Sequence, residues 1–172
     1  DGYQDGLMKT LELLVVELHY LAIESNVIET KAFWHYATRA TGYPEKTTSE
    51  VCNFLDKVSE IGINTIYLNT NFGGACLYTS QYLKNRTTGT YTYEGYKDYL
   101  ECFITEAHKR NIRVVAWTNT FICGDGYLPN YINKDYVAID YNGKNNYNGM
   151  YFYDITRSEV KTLLNCVFDE LA

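Results

Sequence analysis

The most constraining feature of this sequence is a unit that occurs twice. A run with one apolar face at helical spacing leads to a residue suited to left-handed backbone, then to a short apolar strand, then to an exit bearing asparagine. The first copy covers residues 55–71, with Gly62 at the stop and "INTIYLNT" after it; the second covers 104–120, with Asn111 at the stop and "IRVVAWTNT" after it. Glycine and asparagine both tolerate the left-handed conformation that ends a helix. A repeated helix-then-strand unit predicts a β/α fold. Such strands lie parallel, are joined by right-handed crossovers and are covered on both faces. Two architectures satisfy that, an eight-stranded barrel and an open doubly wound sheet. No GxGxxG or GxxxxGK[ST] opens any helix, so no backbone phosphate cradle is visible, and the (β/α)8 barrel is favoured. Eight strands typically need about 250 residues. The chain has 172. Three β/α units are legible, and the expectation is a partial TIM barrel.

The remaining elements follow from local pattern. Leu7, Leu11, Leu14, Leu18 and Leu21 alternate spacings of four and three, which predicts an amphipathic helix over residues 7–23 whose seam wants a partner. It reads as an appendage from an upstream region, residues 1–28, ahead of a barrel portion over 29–172. "KAFWHYA" predicts the first strand. Thr47 and Glu50 have capping-box spacing, and Val51, Phe54, Leu55, Val58 and Ile61 make the following apolar face. Over residues 94–109 the stripe is Tyr96, Leu100, Phe103, Ile104 and Ala107. Past Phe121 comes a loop, and "YVAID" and "MYFYD" around "YNGKNNYNG" predict a hairpin inserted in it. Thr156 and Glu159 repeat the capping-box spacing before a last helix whose face is Val160, Leu163, Leu164, Val167, Phe168 and Leu171.

Charge and cysteine usage narrow the function. The net charge is -6, and the longest basic run is the pair Lys109-Arg110, which argues against a nucleic-acid groove or an anionic membrane patch. No apolar run approaches the roughly 20 residues of a membrane span. The five cysteines, Cys52, Cys76, Cys102, Cys123 and Cys166, lack CxxC spacing, and most read as small buried hydrophobes; a thiol nucleophile would need His19, His35 or His108 beside it. No metal and no cofactor is expected. The 18 tyrosines are the compositional anomaly, since a ring with an apolar face and a polar tip suits flat, hydroxyl-rich ligands.

Several pieces together resemble one known family, the glycosyl hydrolase-like barrel proteins related to family 10 glycosylhydrolases of unknown specificity. They are "ETKAFWHYAT", "GINTIYLNT" with "LYTS", "AHKRNIRVVAWTNTF", and then "GYLPNY", "VAIDYNGK" and "YFYDITRSEVKTLLNCVFDEL". The resemblance covers residues 29–172 and matches the family's N-terminal part. It implies a glycoside hydrolase acting on a poly- or oligosaccharide, whose next strand would carry an aspartate-rich segment resembling Asp-Gly-x-x-x-Asp-Tyr near the catalytic acids. Those acids are expected beyond Ala172, in the remainder of the barrel, so this chain alone is expected to be inactive. A non-catalytic saccharide-binding barrel is the alternative.

In a barrel the ligand meets the carboxyl ends of the strands. That rule makes Trp34, His35, Asn69, Asn71, Trp117 and Asn119 the candidate substrate-binding residues. Amides donate to and accept from sugar hydroxyls, and an indole face stacks on a pyranose. Each also has a structural role open to it: asparagine satisfies loop backbone, tryptophan fills a core, and of the neighbours Trp34 and His35 only one points inward. Asp125, in "GDG", is the one acid with a path to the site, and the same tripeptide is an ordinary turn. Asp140 and Asp154 are expected in turn and cap roles, and His108 in a helix-end role. An extracellular or cell-envelope location is expected from the sequon "NRT" at Asn85 and from where polysaccharides are degraded.

Overall fold

The computed structural model describes residues 2–22, 30–38 and 44–172. The chain divides into two compact units, Asp1–Lys31 and Ala32–Ala172. Among its described residues the first holds one helix, α1 (Gly2–Ala22), on which Leu7, Leu11, Leu14 and Leu18 are exposed. Ile23, the expected end of that helix, lies outside the described residues, as do positions 26–29 of the expected boundary.

The second unit is an α/β fold built on a parallel sheet. Strand β1 (Ala32–His35) is followed by α2 (Thr48–Glu60) and by β2 (Thr65–Phe72). Two short strands, β3 (Ala75–Cys76) and β4 (Lys84–Asn85), precede α3 (Tyr99–His108) and β5 (Arg113–Thr118). The chain continues through β6 (Ile122–Asp125), a 3-10 turn at Lys134–Tyr136, β7 (Met150–Phe152) and α4 (Ser158–Asp169). β1 and β5 both pair parallel to β2, one on each edge. Among the described residues β1 and β5 use one edge each.

Local chemistry sets these boundaries. Thr47 caps α2 by accepting from the backbone N–H of Glu50 at 3.2 Å, while Glu50 accepts from the N–H of Lys46 at 2.7 Å. Gly62 and Asn111, at φ 76° and 56°, supply the left-handed turns that end α2 and α3. Asp98, not a residue near Glu94, caps α3 by accepting from the N–H of Glu101, so the helix begins five residues later than its apolar pattern implies.

Between sheet and helices lies the main core, with Leu55, Ile66, Leu68, Tyr99, Phe103 and Ile112 fully buried. The buried face of α3 is Tyr99, Cys102, Phe103, Glu106 and Ala107, turned one position from the expected stripe. Ile61, expected in the core, is exposed just beyond the end of α2. A carboxylate therefore sits on the buried face of α3. Glu106 accepts from Lys109 Nζ at 2.6 Å, from the Tyr96 hydroxyl, from Arg110 Nη1 at 2.9 Å and from Cys52 Sγ at 3.3 Å. The bonds from Lys109 and Tyr96 outweigh the opposing effect of burial and lower its pKa to about 2.

The expected hairpin forms only in part. β7 pairs antiparallel with β6, in the stretch read as loop, and "YVAID" contributes a single bridge, Val137 to Tyr153. Pattern shows which segments are extended but not which segments pair. The last helix is also corrected at its start: Arg157 is the cap residue and makes no side-chain cap bond, while Thr156 donates to Asp154 Oδ1 at 2.6 Å. A second core of Cys123, Val137, Tyr153 and Val160 holds α4 to the β6–β7 ribbon.

Candidate functional site

Strand register sorts the candidate residues by face, because side chains alternate along a strand and partners in a parallel ladder share a side. Phe33 and His35 turn toward the helices: the His35 ring lies 4.5 Å from Phe54 and 5.6 Å from Phe103. Trp34 pairs with Tyr67 and Tyr67 with Val115, which puts these three on the opposite face. Two residues further along, Asn69 pairs with Trp117 on that same face.

His35 is thereby removed from the substrate-binding set. It is 4% exposed, and its Nε2 lies 3.3 Å from the carboxylate of Glu45. The Tyr99 hydroxyl donates to that carboxylate at 2.7 Å, and the Tyr93 hydroxyl to the backbone carbonyl of Glu45 at 2.7 Å. This buried polar group closes the helix-side core. Of the neighbours Trp34 and His35, Trp34 takes the other face and is 71% exposed.

At the carboxyl end of β2 the ladder skips a residue. Asn69 pairs with Trp117 and Asn71 with Thr118, leaving Thr70 as a bulge. Bulges bend a strand and re-aim side chains, and they concentrate beside functional sites. Asn69 holds this one closed: its amide donates to the carbonyls of Asn71 at 3.1 Å and Trp117 at 3.2 Å, and its Oδ1 accepts from the Thr38 hydroxyl. With no exposed surface, Asn69 has its hydrogen-bonding capacity committed to the fold. Asn71 differs. Its Oδ1 accepts from the backbone N–H of Asn119 at 2.8 Å, while its Nδ2 makes no hydrogen bond among the described residues. Trp117 and Asn119 are half-buried, and the Trp117 ring lies 5.2 Å from that of Tyr36. Tyr36, Trp117 and Asn119 are thus partly exposed at the strand ends, and Asn71, itself 7% exposed, is bonded to the backbone of Asn119.

A second group lies beside it, of which the sequence pointed to Asp125 and not to Arg86. Gly73 and Gly74, at φ 60° and 74°, make the two-residue turn that folds β3 back along the end of β2. β4 lies beside β3, and the chain leaves it at Arg86, whose backbone N–H donates to Cys76 O at 2.9 Å. The Arg86 guanidinium donates to the carbonyl of Thr38 at 2.8 Å and lines a pocket with Phe72, Gly73, Asp125, Tyr127 and Pro129. The "GG" dipeptide was the available signal for this hairpin. Asp125 reaches the pocket as the last residue of β6, in a ladder opposite Met150.

The cysteines are free thiols, and burial pushes Cys76, Cys102 and Cys123 up to about 11, which keeps them protonated. Among the described residues no group of three or more His, Cys, Asp or Glu is arranged to hold a metal ion, and no helix is long and apolar enough to cross a membrane.

The glycosyl hydrolase-like 10 family matches residues 29–128, more than half of the chain. The chain belongs to the glycosyl hydrolase-like 10 family. No curated protein matches it by sequence. Among solved structures, it is similar to the galactosidase domain of an α-galactosidase–sucrose kinase, with 13% identity and a TM-score of 0.53 over 87% of this chain and 20% of that one. It is also similar to the α-galactosidase of Thermus thermophilus, in complex with p-nitrophenyl α-D-galactopyranoside. There the identity is 13% and the TM-score 0.50, over 80% of this chain and 27% of that one. The α-amylase of Geobacillus thermoleovorans, complexed with acarbose, has 20% identity and a TM-score of 0.48, over 78% of this chain and 35% of that one. The chain spans only a minor part of each of these glycosidases. What it shares with the two α-galactosidases is a fold, of the TIM-barrel kind.

Proposed function

We propose that this chain is the substrate-binding part of a glycoside hydrolase acting on a poly- or oligosaccharide. In this reading β1, β2 and β5, with the helices that follow them, are the first three β/α units of a (β/α)8 barrel. Residues 1–28 precede it as an appendage, and the following segment of the protein supplies the other strands. The observation that carries the reading is the partly exposed group of Tyr36, Trp117 and Asn119 at the carboxyl ends of parallel strands, with the buried Asn71 bonded to the backbone of Asn119. Barrel enzymes assemble their sites at that end. Trp34, Tyr67 and Val115 lie one layer deeper and fill the barrel interior, so Trp34 serves packing before it serves ligand. Asn69 acts as a positioning residue, fixing the bulge from which Asn71 projects.

The catalytic carboxylates belong to the following segment. Hydrolysis needs an acid and a second carboxylate about 5 Å away for retention or 6.5 to 9.5 Å away for inversion. The buried acids of this chain have other duties: Glu45 and Glu106 sit in side-chain networks, and Asp98 caps α3 while accepting from the N–H of Thr79. Asp125 alone lines the strand-end pocket. An extracellular or cell-envelope setting goes with polymeric substrates, and the sequon at Asn85, on β4, supports it.

The test compares the 172-residue chain with the full-length protein on a panel of oligosaccharides, adding Trp117→Ala and Asn119→Ala to the longer form. Hydrolysis only by the full-length protein, weakened at least tenfold by either substitution, is the expected result. Hydrolysis by the short chain that vanishes with Asp125→Asn overturns the assignment of catalysis to the following segment. Saccharide binding without hydrolysis by the full-length protein establishes the non-catalytic barrel instead.

A further inference from the structure

The pocket of Phe72, Gly73, Arg86, Asp125, Tyr127 and Pro129 has a volume of about 60 Å³, too small for a whole pyranose and large enough for one edge of it. Its two charged side chains make it chemically specific. Arg86 can only donate, and its bond to Thr38 O uses one of the guanidinium's five N–H groups while fixing the side chain in place. Asp125, when ionised, can only accept, and a carboxylate has about four acceptor positions, enough to serve a ligand alongside other partners. Aromatic residues flank these two side chains: Phe72 is buried at the end of β2, and Tyr127 is 65% exposed.

We propose that this pocket is a sugar subsite that takes two neighbouring hydroxyls of an uncharged saccharide unit, one accepting from Arg86 and one donating to Asp125. A hydroxyl both donates and accepts, so a diol satisfies both side chains at once. A uronate or sulfate would suit Arg86 but meet the like charge of Asp125, and an amino sugar would do the reverse. The net charge of -6 also disfavours a polyanionic chain. The inference rests on the functional reading above and sharpens it. Asp125 becomes a binding residue, and the glycan lies across both the Trp117 surface and this pocket, so the site engages more than one sugar unit.

The experiment measures binding of the full-length protein to immobilised neutral oligosaccharides (gluco-, galacto-, manno- and N-acetylglucosamine series) and to oligouronates. It is repeated with Arg86→Gln, Arg86→Lys, Asp125→Asn and Trp117→Ala, and thermal melting confirms that each variant is folded. Binding to a neutral series that falls at least tenfold in Arg86→Gln and Asp125→Asn, and is not restored by Arg86→Lys, is the expected result. Three outcomes overturn the proposal. Selective binding of oligouronates, lost with Arg86→Gln and strengthened by Asp125→Asn, makes the pocket an anion site. Neutral binding that Trp117→Ala abolishes, while the Arg86 and Asp125 variants stay within twofold of wild type, leaves the functional reading standing and removes the subsite. No binding to any member of the panel removes both.

Discussion

The two faces of the β1–β2–β5 sheet are made by the same strands, with side chains alternating between them, and they are finished to different degrees. On the helix side, Ile66, Leu68 and Phe103 have no exposed surface and His35 is locked to Glu45. On the other side, Trp34 is largely exposed, and Tyr36, Tyr67 and Trp117 are partly so. A parallel sheet is normally covered on both faces. The contrast teaches that within one strand, neighbouring aromatic residues can have opposite settings: His35 completes a core, and Trp34 is exposed on the other face.

The largest effect should come from the finished face. Phe103→Ala removes a ring packed on His35, Phe54 and Tyr99, and should cost about 3–5 kcal/mol in chemical denaturation. A loss of under 1 kcal/mol would show that this face is not closed by packing.

Asn69→Ala comes next, at about 2–3 kcal/mol, because it leaves the Trp117 and Asn71 carbonyls short of a donor at the bulge. It should also weaken saccharide binding without Asn69 touching the ligand. Asn71→Ala, by contrast, should lose binding with a smaller loss of stability. Equal effects on stability from the two substitutions would erase the distinction between them.

Acid should reveal Glu106. Its pKa is depressed by the bonds from Lys109 and Tyr96, so its contribution is fully present above the ordinary carboxylate value. As the pH falls from about 4.5 toward 2 the proton competes with those bonds and the contribution is lost. Melting temperatures of wild type and Glu106→Gln should differ at pH 7 and converge over that interval. A constant difference down to pH 2 would contradict the ion-pair assignment.

The smallest effect belongs to the open face. Trp34→Ala should change the stability of this chain by less than about 0.5 kcal/mol, as is usual at exposed positions. A loss of several kcal/mol would mean that Trp34 is already packed.

What could be read in the sequence follows the same division. The repeated helix, stop and strand announced the parallel order of β1, β2 and β5, since Gly62, Asn111 and the apolar runs act locally. The partner of β7 and the bulge at Thr70 depend on contacts between distant segments, which no local pattern carries. For the same reason Asn69 and Asn71 look alike in "LNTN", although the amide of one is spent on the bulge and the Nδ2 of the other makes no hydrogen bond among the described residues. Arg86 gave no signal at all; a two-glycine turn and two short strands bring it to the end of β2.

The most direct test of the claim that ligand meets the strand ends uses the two tryptophans of this 172-residue chain, Trp34 and Trp117, as separate reporters. Single-tryptophan forms, Trp34→Phe and Trp117→Phe, are titrated with a saccharide that the full-length protein binds, while fluorescence emission is recorded. The form that keeps Trp117 should respond in a saturable way, and the form that keeps Trp34 should bind without responding. A saturable response from Trp34 with none from Trp117 would place the ligand in the sheet interior and contradict the strand-end site.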